Sequence, residues 1–375
     1  MSTLKVNAIE SQAADSAPTI AGLQFPTAGP LSNRNLIING AMNVAQRGTS
    51  ATNSGFGSVD RFSCGFSGGA QTQAQHTLTN STDATVWDLG FRKSVRITNT
   101  TSSTIASSFR RISYFPEAQD IACSGWDYEN ADSGLTLSFW VRASVSQQYT
   151  CCIYSSDGTP QAYTFAIQDD GGSTLSANTW TKITHTLPGN ANIQVDNDTG
   201  AGLQIDFVAW WGTDFTGTKA FNSWAAFGDG TDRTADMTNT WAGTTDATFE
   251  ITGVQLEVGD KATPFEHRRY GDDLIKCQRY WNKIIYALCN PISGIAYRII
   301  APGPAVQMRV TPGVSYYHPS TGTANQTYEH SSSTARTINS VVAPNDSAPA
   351  QTTYFGMSTS ATYAQYVDIH YSAEF

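Results

Sequence analysis

Leu135-Thr136-Leu137-Ser138-Phe139-Trp140-Val141-Arg142 is the stretch that decides the fold. Leu135, Leu137, Phe139 and Val141 fall on one side of an extended chain, because successive side chains of a strand point to opposite faces. Such alternation marks a half-buried strand. It returns in Leu203-Gln204-Ile205-Asp206-Phe207, and short apolar segments around Val95, Ile97, Trp180, Ile183 and Leu187 mark further strands. Phe249-Glu250-Ile251-Thr252-Gly253-Val254-Gln255-Leu256-Glu257-Val258 also alternates, but its phase slips. Phe249 and Ile251 share one phase, and Val254, Leu256 and Val258 share the other. One extra residue at Gly253, a β-bulge, restores a single buried face. Strands in this number without amphipathic helices between them predict a two-sheet sandwich.

Composition agrees. Charged residues make up 14% of the 375-residue chain, well below the usual value of about 25%. Thr, Ser, Asn, Gln, Ala and Gly fill the deficit, which is the palette of strands and turns. A net charge of −9 argues against nucleic-acid binding, which draws most of its affinity from basic faces. No run of about 18 apolar residues offers a membrane span. Residues Met1–Glu10 lack the apolar segment of a signal peptide, so assembly in a cytoplasm is expected. The six cysteines form no C-x-x-C pair, and adjacent Cys151 and Cys152 point to opposite faces of a strand, so buried free thiols are expected.

The flanks differ from the centre. Residues 1–34 are weakly hydrophobic, hold Pro18, Pro26 and Pro30, and are expected to form an extended arm. Thr263-Pro264-Phe265-Glu266 has the form of a capping box with proline at the first helical position. Tyr270, Leu274, Cys277, Trp281, Ile284 and Leu288 follow at helical spacing. That stripe predicts a connector helix over 266–289, facing either the sandwich or its own copies, although Ile284-Ile285-Tyr286 already reads as strand. Residues 290–375 return to Ser, Thr, Tyr and Val and predict a smaller β domain, with Met308-Arg309-Val310-Thr311-Pro312 and Tyr366-Val367-Asp368-Ile369-His370-Tyr371 as strands. The sandwich itself is placed at 35–265.

Several segments together resemble phage virion proteins of the cyanophage and marine-phage type. These are Met1-Ser2-Thr3-Leu4-Lys5-Val6-Asn7; the run Asn35-Leu36-Ile37-Ile38-Asn39-Gly40-Ala41-Met42-Asn43-Val44-Ala45-Gln46-Arg47-Gly48; Val59-Asp60-Arg61-Phe62; and Ile251–Gly259 followed by Ala262-Thr263-Pro264-Phe265-Glu266. They are similar to the beginning and end of a carbohydrate-binding-like jelly roll in phage tail fibres. Arg269–Leu274, Cys277–Trp281, Met308–Pro312 and Tyr371–Phe375 resemble the linking helix and C-terminal domain. The resemblance implies a tail fibre or related virion appendage, commonly a homotrimer. It also implies docking to other virion proteins through residues 1–34 and contact with host surface polysaccharide. Each motif is specific for architecture rather than for a ligand.

Three kinds of site come into question. Trp211, Phe215, Trp224 and Trp241, with Phe221 and Phe227, lie in a long polar loop region, and exposed aromatics there would stack on sugar rings. The competing reading is that these rings cap the core or are buried between subunits, as large aromatics mostly are. Asp196-Asn197-Asp198 and Asp206 offer hard oxygen ligands, and jelly rolls of the resembled kind often bind a structural calcium ion, but no spacing fixes the residues. No other cofactor is expected. For catalysis, Glu117 with Asp120 and Asp127 with Glu129 are close in sequence, as carboxylates on loops often are, and no G-x-S-x-G, H-E-x-x-H or phosphate-binding loop occurs. The expectation is a non-enzymatic glycan-contacting appendage. A purely structural virion component and a polysaccharide depolymerase are the alternatives.

Overall fold

A computed structural model describes residues 33–168, 172, 174–227, 230–292, 295–329, 331–342, 353–357 and 363–375, with the two-residue strands Thr19–Ile20 and Leu23–Gln24. Of the expected arm at 1–34, the residues other than those two strands and 33–34 lie outside the described residues. The chain divides into two compact units, Met1–Arg268 and Arg269–Phe375.

The first unit is a jelly-roll β-sandwich of two six-stranded sheets. Sheet I runs, edge to edge, Trp224–Ala226, Gln161–Ile167, Tyr149–Ser155, Leu203–Trp211, Phe109–Tyr114 and Phe62–Ser67. Sheet II runs Thr181–Pro188, Gly134–Ala143, Thr248–Val258, Lys93–Thr101, Ala70–Thr77 and Ser50–Ala51. Neighbouring strands are antiparallel throughout. Alternation sets which faces meet. Leu135, Leu137, Phe139 and Val141 from sheet II enclose a core with Ile205 and Phe207 from sheet I.

The expected bulge is present. Thr248–Val258 pairs with Gly134–Ala143 in two registers that shift between Thr252 and Gln255, and Gly253 takes φ +62. The slip lets Phe249 and Ile251 on one side of it, and Val254 and Leu256 on the other, all enter the same core. The start of the sandwich is sewn to this strand. Asn35 Oδ1 accepts from the Ile37 and Leu256 amides, its Nδ2 donates to the Val254 carbonyl, and the Val254 amide donates to the Gly40 carbonyl. A β-carbon on Gly40 would stand 2.1 Å from the Val254 oxygen, so only glycine fits there.

Other landmark residues are equally structural. The Asn39 side chain, at φ +61, bonds the Val44 amide and the Val44 and Asp60 carbonyls. Asp60 accepts from the Gln46 amide and side chain. Arg61 is fully buried, donates to the Phe115 carbonyl and lies over the Tyr114 ring.

Thr263 and Glu266 do not cap a helix. Thr263 donates from both its amide and its hydroxyl to Glu257, and Glu266 accepts from the Asn33 and Asn35 amides. Their capping chemistry is spent on closing the sandwich, because buried Glu257 and the incoming chain both need partners.

In the second unit the helix is shorter than the 266–289 stripe predicts. It spans Tyr270–Gln278, and Trp281–Ile292 is a strand. That strand pairs with Gln365–Ser372 in registers that shift between Ile284 and Ala287, with Tyr286 at φ +50. The bulge imitates helical spacing: Ala287 and Cys289 face the interior, whereas Leu288 faces out. Strand pairings close into a ring through Trp281–Ile292, Ile295–Ala301, Thr353–Met357, Ala335–Val342, Gln326–Glu329 and Gln365–Ser372, with Gly313–Tyr317 added on the last of these. Met308 is buried inside, but no strand includes 308–312. Every described cysteine is a free thiol, buried except for Cys123, which is exposed in the turn after a five-residue helix.

The bulge gives a direct test. Gly253→Ala places a β-carbon 2.6 Å from the Phe91 ring on a left-handed backbone, a conformation costing L-residues roughly 1–2 kcal/mol before any clash. Urea unfolding should show at least that loss. Gly243→Ala, whose β-carbon meets nothing nearer than 3.5 Å, should be close to neutral.

Candidate functional site

The long segment after Trp211 folds onto the outer face of sheet I. Thr216–Gly217 pairs in parallel with Thr234–Ala235, Thr216 donates to Asp236, and the Lys219 amide donates to Asp232. At its centre is Arg233. Its guanidinium carbon lies 5.0 Å from the Phe227 ring centre, 5.4 Å from Trp211, 5.7 Å from Tyr154 and 5.9 Å from Phe215. The ring quadrupoles attract the cation at such distances. Trp211 and Phe215 are therefore partners of an internal arginine. Trp241 is wholly enclosed in the sandwich core, with Nε1 donating to the Thr248 carbonyl. A ring with no accessible face cannot stack on a sugar, so Trp211 and Trp241 are corrected from ligand contacts to packing residues. Phe215, half-buried, packs edge-on against Phe109 at 5.7 Å.

Trp224 differs. It is half-buried on the short edge strand of sheet I, its Nε1 donates to the Pro188 carbonyl at 2.7 Å, and its ring packs against Tyr163 at 5.3 Å. The hydrogen bond fixes the indole's direction. Beside it opens a pocket of about 520 Å³ whose walls include Glu129, Gln161, Asn190, Asn192 and Gln194. Towards the far end of the neighbouring Gln161–Ile167 strand, a second pocket of about 360 Å³ is lined by Gln148, Gln168, His185, Phe221 and Asn222. Both are of the size that small ligands occupy, about 300–1,000 Å³. Together they line the edge of the sandwich formed by Gln161–Ile167, Trp224–Ala226 and Thr181–Pro188.

The chemistry of this edge is mostly neutral. Each Gln or Asn amide carries one carbonyl acceptor and two N–H donors, so it can answer both roles of a hydroxyl. Among the described residues lining the two pockets, Glu129 is the only carboxylate. Glu117, which sequence spacing pairs with Asp120, is buried and accepts from Gln119. Asp206 is bound to Arg111 at 2.5 Å and to Ser113, while Asp198 accepts from the Gly200 amide. Among the described residues no three His, Cys, Asp or Glu side chains converge to hold a metal ion. Trp224 was legible from its type. The amides were not, since Gln161 lies on a strand and Asn190, Asn192 and Gln194 in a later turn, and only the fold brings them together.

His185 stacks on Phe165 with ring centres 4.0 Å apart and planes 5° from parallel, and its Nε2 lies 3.2 Å from the Tyr163 hydroxyl. Burial pushes its imidazole down to about 4, because the cationic form loses water there.

A scan against protein-family models finds no match, and a search of curated proteins finds none either. Among solved structures, the chain is similar to the enzymatically active domain of tailspike protein 4 of bacteriophage CBA120, with 12% identity and a TM-score of 0.30 over 60% of this chain and 21% of that one. It is also similar to a family 11 carbohydrate-binding module from a cellulosomal cellulase of Clostridium thermocellum, with 12% identity and a TM-score of 0.28 over 59% of this chain and 98% of that one. A tandem of family 22 carbohydrate-binding modules from Paenibacillus barcinonensis matches with 10% identity and a TM-score of 0.27 over 93% of this chain and 92% of that one. At these scores the likeness carries no argument about what this chain binds.

The buried imidazole sets a pH dependence. The unfolded chain binds a proton at about 6.5 and the folded chain only near 4, so the unfolded state holds more protons between those values. The contribution of His185 to stability is therefore constant above about 6.5 and falls as pH drops towards 4. The difference in unfolding free energy between the natural protein and His185→Gln, measured from pH 7.5 to pH 4, should stay constant above this window and shift against the natural protein as pH falls through it. A difference constant over the whole range would refute the assignment.

Proposed function

We propose that the chain is a non-catalytic saccharide-binding protein of a bacteriophage appendage, holding host surface polysaccharide along the amide-lined edge of its sandwich. The observation that carries this reading is the placing of one oriented, half-buried tryptophan beside four neutral amide side chains at that edge: Trp224 with Gln161, Asn190, Asn192 and Gln194. A pyranose presents a C–H face to an aromatic ring and a rim of hydroxyls to donors and acceptors, and this set supplies both. Among the described residues lining the two pockets Glu129 is the one carboxylate, which supports binding rather than hydrolysis, since glycoside cleavage ordinarily uses two carboxylates about 5–10 Å apart.

The phage assignment rests on the landmark segments at 35–48, 59–62 and 251–266. In this reading residues 1–34 attach the chain to the particle, and several copies act together as a homotrimer. That arrangement suits modest sites, because multivalency multiplies weak affinities. No helix among the described residues is long and apolar enough to cross a membrane.

The test is binding of the labelled protein to intact bacteria and to the same cells stripped of surface polysaccharide. Binding should saturate on intact cells and vanish on stripped ones. Trp224→Ala should weaken it at least about tenfold, the equivalent of roughly 1.4 kcal/mol, near the lower end of what fully burying a large apolar side chain contributes. Equal binding to stripped cells would sink the proposal, and release of reducing sugar would move the protein to the depolymerases.

A further inference from the structure

A third pocket, of about 440 Å³, lies over the bulge of sheet II, away from the edge lined by Trp224. Its origin is in the backbone. The register of Thr248–Val258 against Gly134–Ala143 shifts beside Trp140, and Gly253 presents no side chain where the strand lifts. Phe91 and Phe265 stand edge to face at 4.9 Å and form an apolar wall. His267 packs on both, at 5.2 and 4.9 Å, and its Nε2 lies 2.9 Å from the Leu89 carbonyl. A carbonyl only accepts, so that nitrogen carries a proton and donates to it. Gly90, at φ +94, allows this approach, since a β-carbon there would stand 3.2 Å from the imidazole.

The charge is placed opposite the ring. Lys182 is the direct cross-strand partner of Trp140, and side chains so paired stand about 5 Å apart at their β-carbons. Trp140 is half-buried and Lys182 exposed. Lys182 has no acidic partner among the described residues, and the Ser138 hydroxyl, on the same face as Trp140, makes no hydrogen bond among them. The pocket therefore combines an aromatic platform, a neighbouring ammonium, a hydroxyl and an imidazole ring on a protein of net charge −9.

We infer that this pocket binds a carboxylated pyranose, a uronic acid residue, with the sugar face on Trp140 and Phe265 and the carboxylate towards Lys182. An apolar ligand would leave the unpaired ammonium at the mouth unanswered, and a simple anion would leave the aromatic walls uncovered. The site is independent of the edge groove and stands or falls without it.

Calorimetric titration of the full chain with uronate trisaccharides (galacturonate, glucuronate and mannuronate) and their neutral hexose counterparts decides the matter. At least one uronate should bind about tenfold or more tightly than its neutral counterpart, with the preference shrinking as salt rises. Lys182→Met should abolish the preference at an unchanged melting temperature, Lys182→Arg should retain it, and Trp140→Ala should remove binding of both sugars. Trp224→Ala should leave the preference intact, which separates this pocket from the edge groove. If no uronate is preferred, or if the preference survives Lys182→Met, the inference is wrong.

Discussion

One additional residue in the last strand of the sandwich constrains the rest of the unit. Without the slip at Gly253, either Phe249 and Ile251 or Val254 and Leu256 would leave the core for the opposite, polar-lined face of the strand, because side chains of a regular strand alternate. Burying one of these side chains contributes about 1.5–3 kcal/mol, so losing two of them would consume much of a domain's net stability. The slip also settles where the chain begins its fold. Val254 offers its amide to the Gly40 carbonyl and its own carbonyl to Asn35, and both contacts require Val254 to stand in the shifted register. Entering segment and closing strand are thus fixed by the same irregularity.

The two sheets protect their outer faces by different physics. Sheet I wears an aromatic layer held around Arg233. Sheet II carries a network in which Arg142 joins Asp83 at 2.8 Å and Glu250 at 2.7 Å, and Arg96 joins Glu250 at 3.0 Å. Trp180 donates to Asp83 and lies under the Arg142 guanidinium at 4.8 Å. Asp83 and Glu250 are almost wholly buried. Breaking such a pair leaves an uncompensated charge, so these contacts specify one arrangement of the Asn80–Trp87 helix more than they add stability. In a chain with so few charged residues, several are committed to holding a surface layer in place.

How much was legible follows from the range of each interaction. The strand at Leu135–Arg142 and the bulge at Gly253 could be read because side-chain alternation is local. The capping pattern at Thr263–Glu266 misled because its donors and acceptors meet Glu257 and the chain near Asn35, over 220 residues away in sequence for the latter. The stripe continuing through Leu288 misled because a bulged strand shares spacings with a helix. For the candidate site, residue type identified Trp224 but equally suggested Trp211 and Trp241, which an arginine and the core respectively claim. The pairing of Trp140 with Lys182 depends on strand register, and a single strand's sequence does not contain its partner's alignment.

The ring of strand pairings in the second unit bears on how such a chain survives at high local concentration. An open sheet ends in rows of unpaired amides and carbonyls that recruit strands from other molecules, and proteins commonly guard them with charge. Here charge is scarce, and geometry takes over the task. The ring leaves few free borders, with Gly313–Tyr317 laid on as a five-residue strand. In the sandwich, two borders shrink to the two residues Ser50–Ala51 and the three residues Trp224–Ala226. Thr181–Pro188, a longer border, carries Lys182 and ends in a proline that has no amide to offer. Short borders and ring closure thereby take over part of the protection that charge gives elsewhere, in a chain whose charged residues make up 14%.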